Sequence, residues 1–280
     1  MRPLSFGKFI QVLVYICRKA EEKVMIKKLV YGTLIIAISF IQTTRLYAQE
    51  SEAQRFKNFQ LSSGRVSDAL KKYNDTLSRE FKRKNVAYPP KDIFLRAFKS
   101  QNEMELWARN NESSEYKLIK TYRICAISGQ LGPKRAQGDR QVPEGFYFID
   151  DFNPKSEYLL SLQLNYPNYA DQLTGSGKVG GDIFIHGGCV TVGCMPMTNE
   201  GIEEIYTVCL NAKLNGQEHI PVHIYPTRLN KNGINYLNHE FANDVPKMQF
   251  WSELRSVYDY FEKTHKLLPV MYTPDGKYVD

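Results

Sequence analysis

Several signals that would settle the class of this 280-residue chain are missing from it. The apolar run from Leu29 to Ile41 is about 13 residues, short of the roughly 20 that a membrane-spanning helix needs. Five cysteines are too few to hold together a small disulfide-built fold. No CxxC or HxxxH pair completes the four ligands of a closed zinc site, so zinc is the weakest reading of any His/Cys group here. No internal repeat appears, which sets aside stacked-repeat architectures. A hydrophobic content of 42% with 24% charged residues excludes a disordered or collagen-like chain and allows one sizeable core or two small ones.

An excess of one charge is also absent once the chain is divided. The formal net charge is +7, which would suit a nucleic-acid or anionic-membrane partner if it lay on the folded part. It does not. Residues 1–48 hold 8 Lys+Arg and 2 Asp+Glu, and the remainder carries 29 against 28. Lys27 and Lys28 before the apolar run, and Leu46-Tyr47-Ala48 after it, read as an export leader with a small residue at its cleavage point. Met25 is a candidate true start, and an uncleaved leader anchored to the membrane is the alternative. No cysteine follows the run closely, which argues against a lipoprotein anchor. A nucleic-acid partner is not expected.

Residues 49–89 form a basic segment. Val66, Leu70, Tyr73, Leu77 and Phe81 recur at helical spacing with lysines and arginines on the flanks, which predicts an amphipathic helix. Its basic face is either solvated or docked on an anionic envelope polymer. Ile93, Phe94, Ala97 and Phe98 suggest a second short helix. From Trp107 the pattern changes to extended runs separated by Gly and Pro, at Lys117–Ile127, Gly145–Ile149, Tyr158–Tyr166, Asp182–His186 and Pro221–Tyr225, which predicts a sheet-rich sandwich or barrel. Further helices are predicted from about Asn199 and near Gln249–Lys263. The segment 227–280 is expected to be a helical extension.

The chemistry is concentrated in Asp182–Met197, which reads DIFIHGGCVTVGCMPM. A strand ending at His186 followed by two glycines delivers an imidazole to a loop. Cys194 follows eight residues later, just before an expected helix start, a setting that favours thiolate. Such a pair suits a nucleophile and its base, with backbone N–H groups before Cys194 as an oxyanion hole. Spacing alone leaves three readings open: a nucleophile, a Cys189–Cys194 disulfide in a non-catalytic wall-binding module, or cysteines packed in a core. Cys125 and Cys209 read as buried small hydrophobes, and Cys189 either packs under the loop or pairs with Cys194 as a redox switch. His223 reads as a core or sheet-surface histidine, and His219, His239 and His265 as solvated.

His186-Gly187 followed by Thr191-Val192-Gly193-Cys194 resembles the active-site signature of the L,D-transpeptidase (YkuD-like) family, and the short His-to-Cys spacing resembles its YafK-like branch. Gly132-Pro133-Lys134, Gly138-Asp139, Val142-Pro143-Glu144-Gly145 and Asn165-Tyr166-Pro167-Asn168 with Asp171 extend the likeness over residues 90–226. The resemblance implies an α+β fold: a mostly β catalytic domain with N-terminal helices and a C-terminal helix. It implies an exported, periplasmic enzyme in which Cys194 attacks a peptidoglycan stem peptide at diaminopimelate. His186 would be the base and the Gly187 carbonyl its orienting partner, with no metal or cofactor. Gly188, Thr191 and Gly193 would line the site, while Lys134, Arg135 and Arg140 are candidates to meet stem-peptide carboxylates. An amine acceptor, or a wall-attached protein, would resolve the acyl-enzyme; water would make the protein a hydrolase. Pro196 stands where many members carry Arg, and Val142 where Thr is common.

Overall fold

The structure is a computed structural model that describes residues 31–34, 37 and 52–279. The leader, its cleavage point and Met25 therefore lie almost wholly outside the described residues. Among the described residues no helix is long and apolar enough to cross a membrane. Residues 59–280 form one compact unit.

That unit is built on a single mixed sheet that curls into a half-barrel. Its strands are β1 (Asp92–Phe98), β2 (Glu103–Arg109), β3 (Lys117–Arg123), β4 (Gly145–Asn153), β5 (Ser161–Leu164), β6 (Phe184–His186), β7 (Met195–Pro196) and β8 (Ile220–Tyr225). They lie in the order β3-β2-β1-β8-β4-β5-β6-β7. The β1–β8 and β6–β7 pairs are parallel and the others antiparallel. The helices are α1 (Gly64–Arg83), α2 (Tyr169–Thr174), α3 (Asn199–Leu214), α4 (Lys231–Phe241) and α5 (Val245–Thr264), and a small hairpin of β9 (Met271–Tyr272) and β10 (Tyr278–Val279) closes the described chain.

The expected helix at Ile93–Phe98 is instead β1. Held between β2 and β8, and covered on both faces, it is buried from Ile93 to Phe98. A strand buried on both sides loses its period-two alternation, so its apolar residues fall by chance at helical intervals. Arg96 is carried into this core because Glu105 receives it at 2.8 Å and Glu262 at 2.7 Å, with Trp107 and Phe261 rings beside the guanidinium. The amphipathic α1 forms as its spacing requires, burying Val66, Ala69, Leu77 and Phe81. It lies against α3, where Lys72 reaches Glu203 and Asn74 accepts from Asn211.

The C-terminal α5 buries Phe250, Trp251, Leu254, Val257, Tyr258 and Phe261 against the sheet. Trp251 Nε1 donates to Glu144 Oε2 at 2.7 Å. The other Glu144 oxygen meets Lys99 at 2.8 Å and the Gly132 N–H at 2.7 Å. Lys99, fully buried, also donates to the carbonyls of Gln130, Gly132 and Val142. One ion pair thus fixes both ends of the 130–144 loop and the helix above it. His223 is the expected core histidine: edge-on contacts with Phe94 and Phe146 enclose it, and burial depresses its pKa to about 3. His265, expected to be solvated, instead ends α5 in the left-handed conformation and lies over Trp107.

Candidate active site

The site is carried by two short parallel strands and the loop between them. β6 pairs with β7 so that Ile185 faces Met195 and His186 faces Pro196. Continued by one residue, that register sets Cys194 beside Phe184, and the Phe184 N–H does reach Cys194 Sγ at 3.4 Å. Phe184 and His186, two apart on β6, share a face of the sheet, and Cys194 stands in the bend just before β7. Among the described residues no hydrogen bond joins the sulfur directly to the imidazole; the thiol donates to the Asp182 carbonyl oxygen at 3.6 Å.

The return between the strands needs its glycines. A Cβ on Gly187 would stand 2.7 Å from the Tyr158 carbonyl oxygen and 3.0 Å from Ile202 Cγ2, so only hydrogen fits there. Gly193 has φ of +103°, which a side chain would strain. The Thr191 hydroxyl donates to the Cys194 carbonyl at 2.7 Å and closes the last turn before the nucleophile position. Val190 and Val192 face outward, more than half exposed.

His186 is buried, and its Nδ1 lies 2.6 Å from the Gly187 carbonyl oxygen. A carbonyl can only accept, so Nδ1 carries the proton and Nε2 presents a lone pair. The Tyr158 ring lies against the imidazole at 4.6 Å, while the Tyr158 carbonyl accepts the Gly187 N–H at 3.1 Å. Burial lowers the His186 pKa, opposed by its bond to Gly187. Burial raises the Cys194 pKa, opposed by the Phe184 N–H, and the charge of Lys134 also draws it down. Burial thus favours the neutral form of both the thiol and the imidazole. Burial weighs against the expected resting thiolate. β7 and the N-cap Thr198 stand between Cys194 and the start of α3 in the chain.

The cysteines are arranged differently from either expectation. Cys125 and Cys189 form a disulfide across a sequence separation of 64, leaving Cys194 as a free thiol and Cys209 buried on α3. Cys125 is thus not an inert core residue, and Cys189 neither packs as a thiol nor bonds Cys194. The segment after β3 lies beside the loop, with Ile124 bridging Met197 and the Cys125 N–H donating to Pro196 O at 2.8 Å.

His186, Gly187, Gly188, Thr191, Gly193 and Cys194 come together in this one loop. Arg135 does not join them. It lines a cavity of about 160 Å³ with Asp171 and Glu253, donating to Thr174 and lying over the Phe250 ring. Arg140 is exposed on a left-handed residue, with no side-chain partner among the described residues. Lys134 is buried on Asp139, and its charge acts on Cys194 against that of Asp182. Sequence reasoning missed Ser128, whose hydroxyl accepts the Gly193 N–H at 2.7 Å; no spacing rule connects residues 65 apart. Among the described residues no group of His, Cys, Asp and Glu could hold a metal ion.

A buried imidazole and a free thiol thus lie at the two ends of one glycine-bearing loop at the edge of a curled sheet. Residues 94–224 match the L,D-transpeptidase catalytic domain (YkuD). The Escherichia coli (strain K12) protein named "Putative L,D-transpeptidase YafK" is 36% identical over 206 residues, 72% of this chain and 78% of its own. The chain belongs to the L,D-transpeptidase catalytic domain family. Among solved structures, the helical cell shape determining protein Pgp2 from Campylobacter jejuni is 18% identical over 71% of this chain and 80% of its own, with a TM-score of 0.40. A point mutant of Pgp2 is 22% identical over 57% of this chain, also at 0.40, and this chain spans only 56% of that one.

Proposed function

We propose that this protein is an exported cell-wall acyltransferase that acts on peptidoglycan stem peptides through a Cys194 thioester. The observation that carries the reading is the locked tautomer of His186: Nδ1–H is spent on the Gly187 carbonyl, so Nε2 is left as a base at one end of the loop that ends in Cys194. With both groups neutral at rest, the proton leaves the sulfur as it attacks, rather than beforehand. Nε2 takes that proton and returns it to the departing amine of the cleaved peptide bond. The thioester is then resolved by an incoming amine, deprotonated by the same nitrogen, or by water. The name of the relative YafK supports the L,D-transpeptidase assignment, and family membership supports a stem peptide as donor and the cell envelope as the place of action.

Purified protein incubated with muropeptides, with and without an added amine, tests the reading by mass spectrometry. A covalent acyl adduct on Cys194, absent in Cys194→Ala, together with amine-dependent crosslinked products, is expected. Trimmed products alone would make the protein a hydrolase. Unchanged products with Cys194→Ala would overturn the mechanism.

A further inference from the structure

Segment 124–128 is tied to the Cys194 loop four times in five residues: by the Ile124–Met197 bridge, the Cys125 N–H to Pro196, the Cys125–Cys189 bond and the Gly193 N–H to Ser128 Oγ. The first three use up their groups. The fourth does not. A serine hydroxyl has one proton, and when its oxygen accepts the Gly193 N–H that proton must point elsewhere. Among the described residues no acceptor takes it. Ser128 is only half-buried, so its unspent donor lies at the edge of the site, against the amide immediately before the nucleophile position.

The Gly193 amide is one of the N–H groups expected to hold an oxyanion, yet it is already committed to Ser128. Donation into the Ser128 oxygen polarises the hydroxyl and strengthens it as a donor. We propose that Ser128 is the oxyanion donor of this enzyme, relaying the Gly193 N–H to the acyl oxygen; the inference rests on the Cys194 thioester reading. As the Cys194 S–C bond forms, the carbonyl π pair moves onto oxygen and the Ser128 O–H donates to it without being transferred. When the intermediate collapses, the pair re-forms C=O, the C–N bond breaks, and the amine leaves with the proton held by His186. The disulfide holds the segment in reach, so Ser128 is pre-placed and need not be recruited.

The test compares two reactions at the same sulfur. Acylation by a carbapenem, followed by intact mass, builds an oxyanion; alkylation of Cys194 by iodoacetamide, followed by peptide mapping, is displacement at a saturated carbon and builds none. Ser128→Ala is expected to slow acylation roughly 100-fold and to leave the alkylation rate at the wild-type value. Ser128→Thr keeps the hydroxyl and should recover most of the acylation rate, whereas Ser128→Val, of the same shape as threonine, should not. Acylation of Ser128→Ala at the wild-type rate overturns the proposal. So does an equal fall in acylation and alkylation, which marks a merely structural role, or equal behaviour of the Thr and Val variants. Wild-type protein that alkylates normally but forms no acyl adduct removes the thioester reading itself, and this inference with it.

Discussion

Where β1 ends and β4 begins, Lys99 and Glu144 are wholly excluded from water, both side chains being 0% exposed, and all their polar atoms are engaged. Lys99 Nζ is ringed by three carbonyls and a carboxylate oxygen, and Glu144 is shared between Lys99, Gly132 and Trp251. The cluster at Cys194 and His186 is built on opposite terms: burial favours its neutral forms, and its groups are only partly committed. Nε2 of His186 and the Ser128 O–H have bonding capacity left over. Saturation locks a loop in place; spare capacity lets a passing substrate be bound and changed. Burial alone does not distinguish the two clusters, whereas unspent donors and acceptors do.

The sharpest way to break that contrast is at His186. His186→Ala should lower the acylation rate by roughly 10²- to 10⁴-fold, read by adduct formation on Cys194, with little change in the denaturation midpoint. Lys99→Met should do the reverse. Leaving Glu144 as an unpaired buried charge should cost about 3–5 kcal/mol in urea denaturation, and a neutral result would show that the cluster is not the lock described. Replacing both Cys125 and Cys189 by serine opens a covalent loop of separation 64 and should cost about 2–4 kcal/mol, measured in the same way.

The pH dependence sharpens the contrast further. The base works when deprotonated, and burial lowers its pKa, so the acid limb of acylation should fall below the 6.5 of an ordinary histidine. Alkylation of Cys194 should keep rising at pH values where a free cysteine has levelled off, because burial raises the thiol pKa. A plateau already present at neutral pH would mean a resting thiolate and would contradict the neutral pair. The smallest effect is expected at Arg140, exposed and without a side-chain partner among the described residues: Arg140→Ala should leave both acylation rate and denaturation midpoint where they were.

The His186–Cys194 loop was legible in the sequence because its signals are local. A strand ending at His186, a glycine pair and a glycine before Cys194 lie within nine residues and describe one turn. The amphipathic α1, the α3 start and the apolar face of α5 were legible for the same reason. The disulfide and Ser128 were not, since both join segments more than 60 residues apart and no periodicity links such positions. The β1 strand misled because burial on both faces erased its alternation. Several family-like motifs turned out to build the fold. Glu144 anchors Lys99, Asn168 and Asp171 form the capping box of α2, and Gly145, at φ +136°, leaves room for the Tyr278 hydroxyl.

The bond from Trp251 to Glu144 bears on where this protein can be cut. The stretch that matches the family ends at residue 224, well before α5 begins. Yet α5 supplies the indole that completes the Glu144 cluster, along with much of the core over Phe98 and Tyr225. A fragment trimmed to the family boundary would keep His186, Cys194 and the disulfide while exposing the underside of its own sheet. The C-terminal helix is thus a keystone, and residues 59–280, rather than the matched stretch, are the smallest portion to express when the chemistry is to be measured.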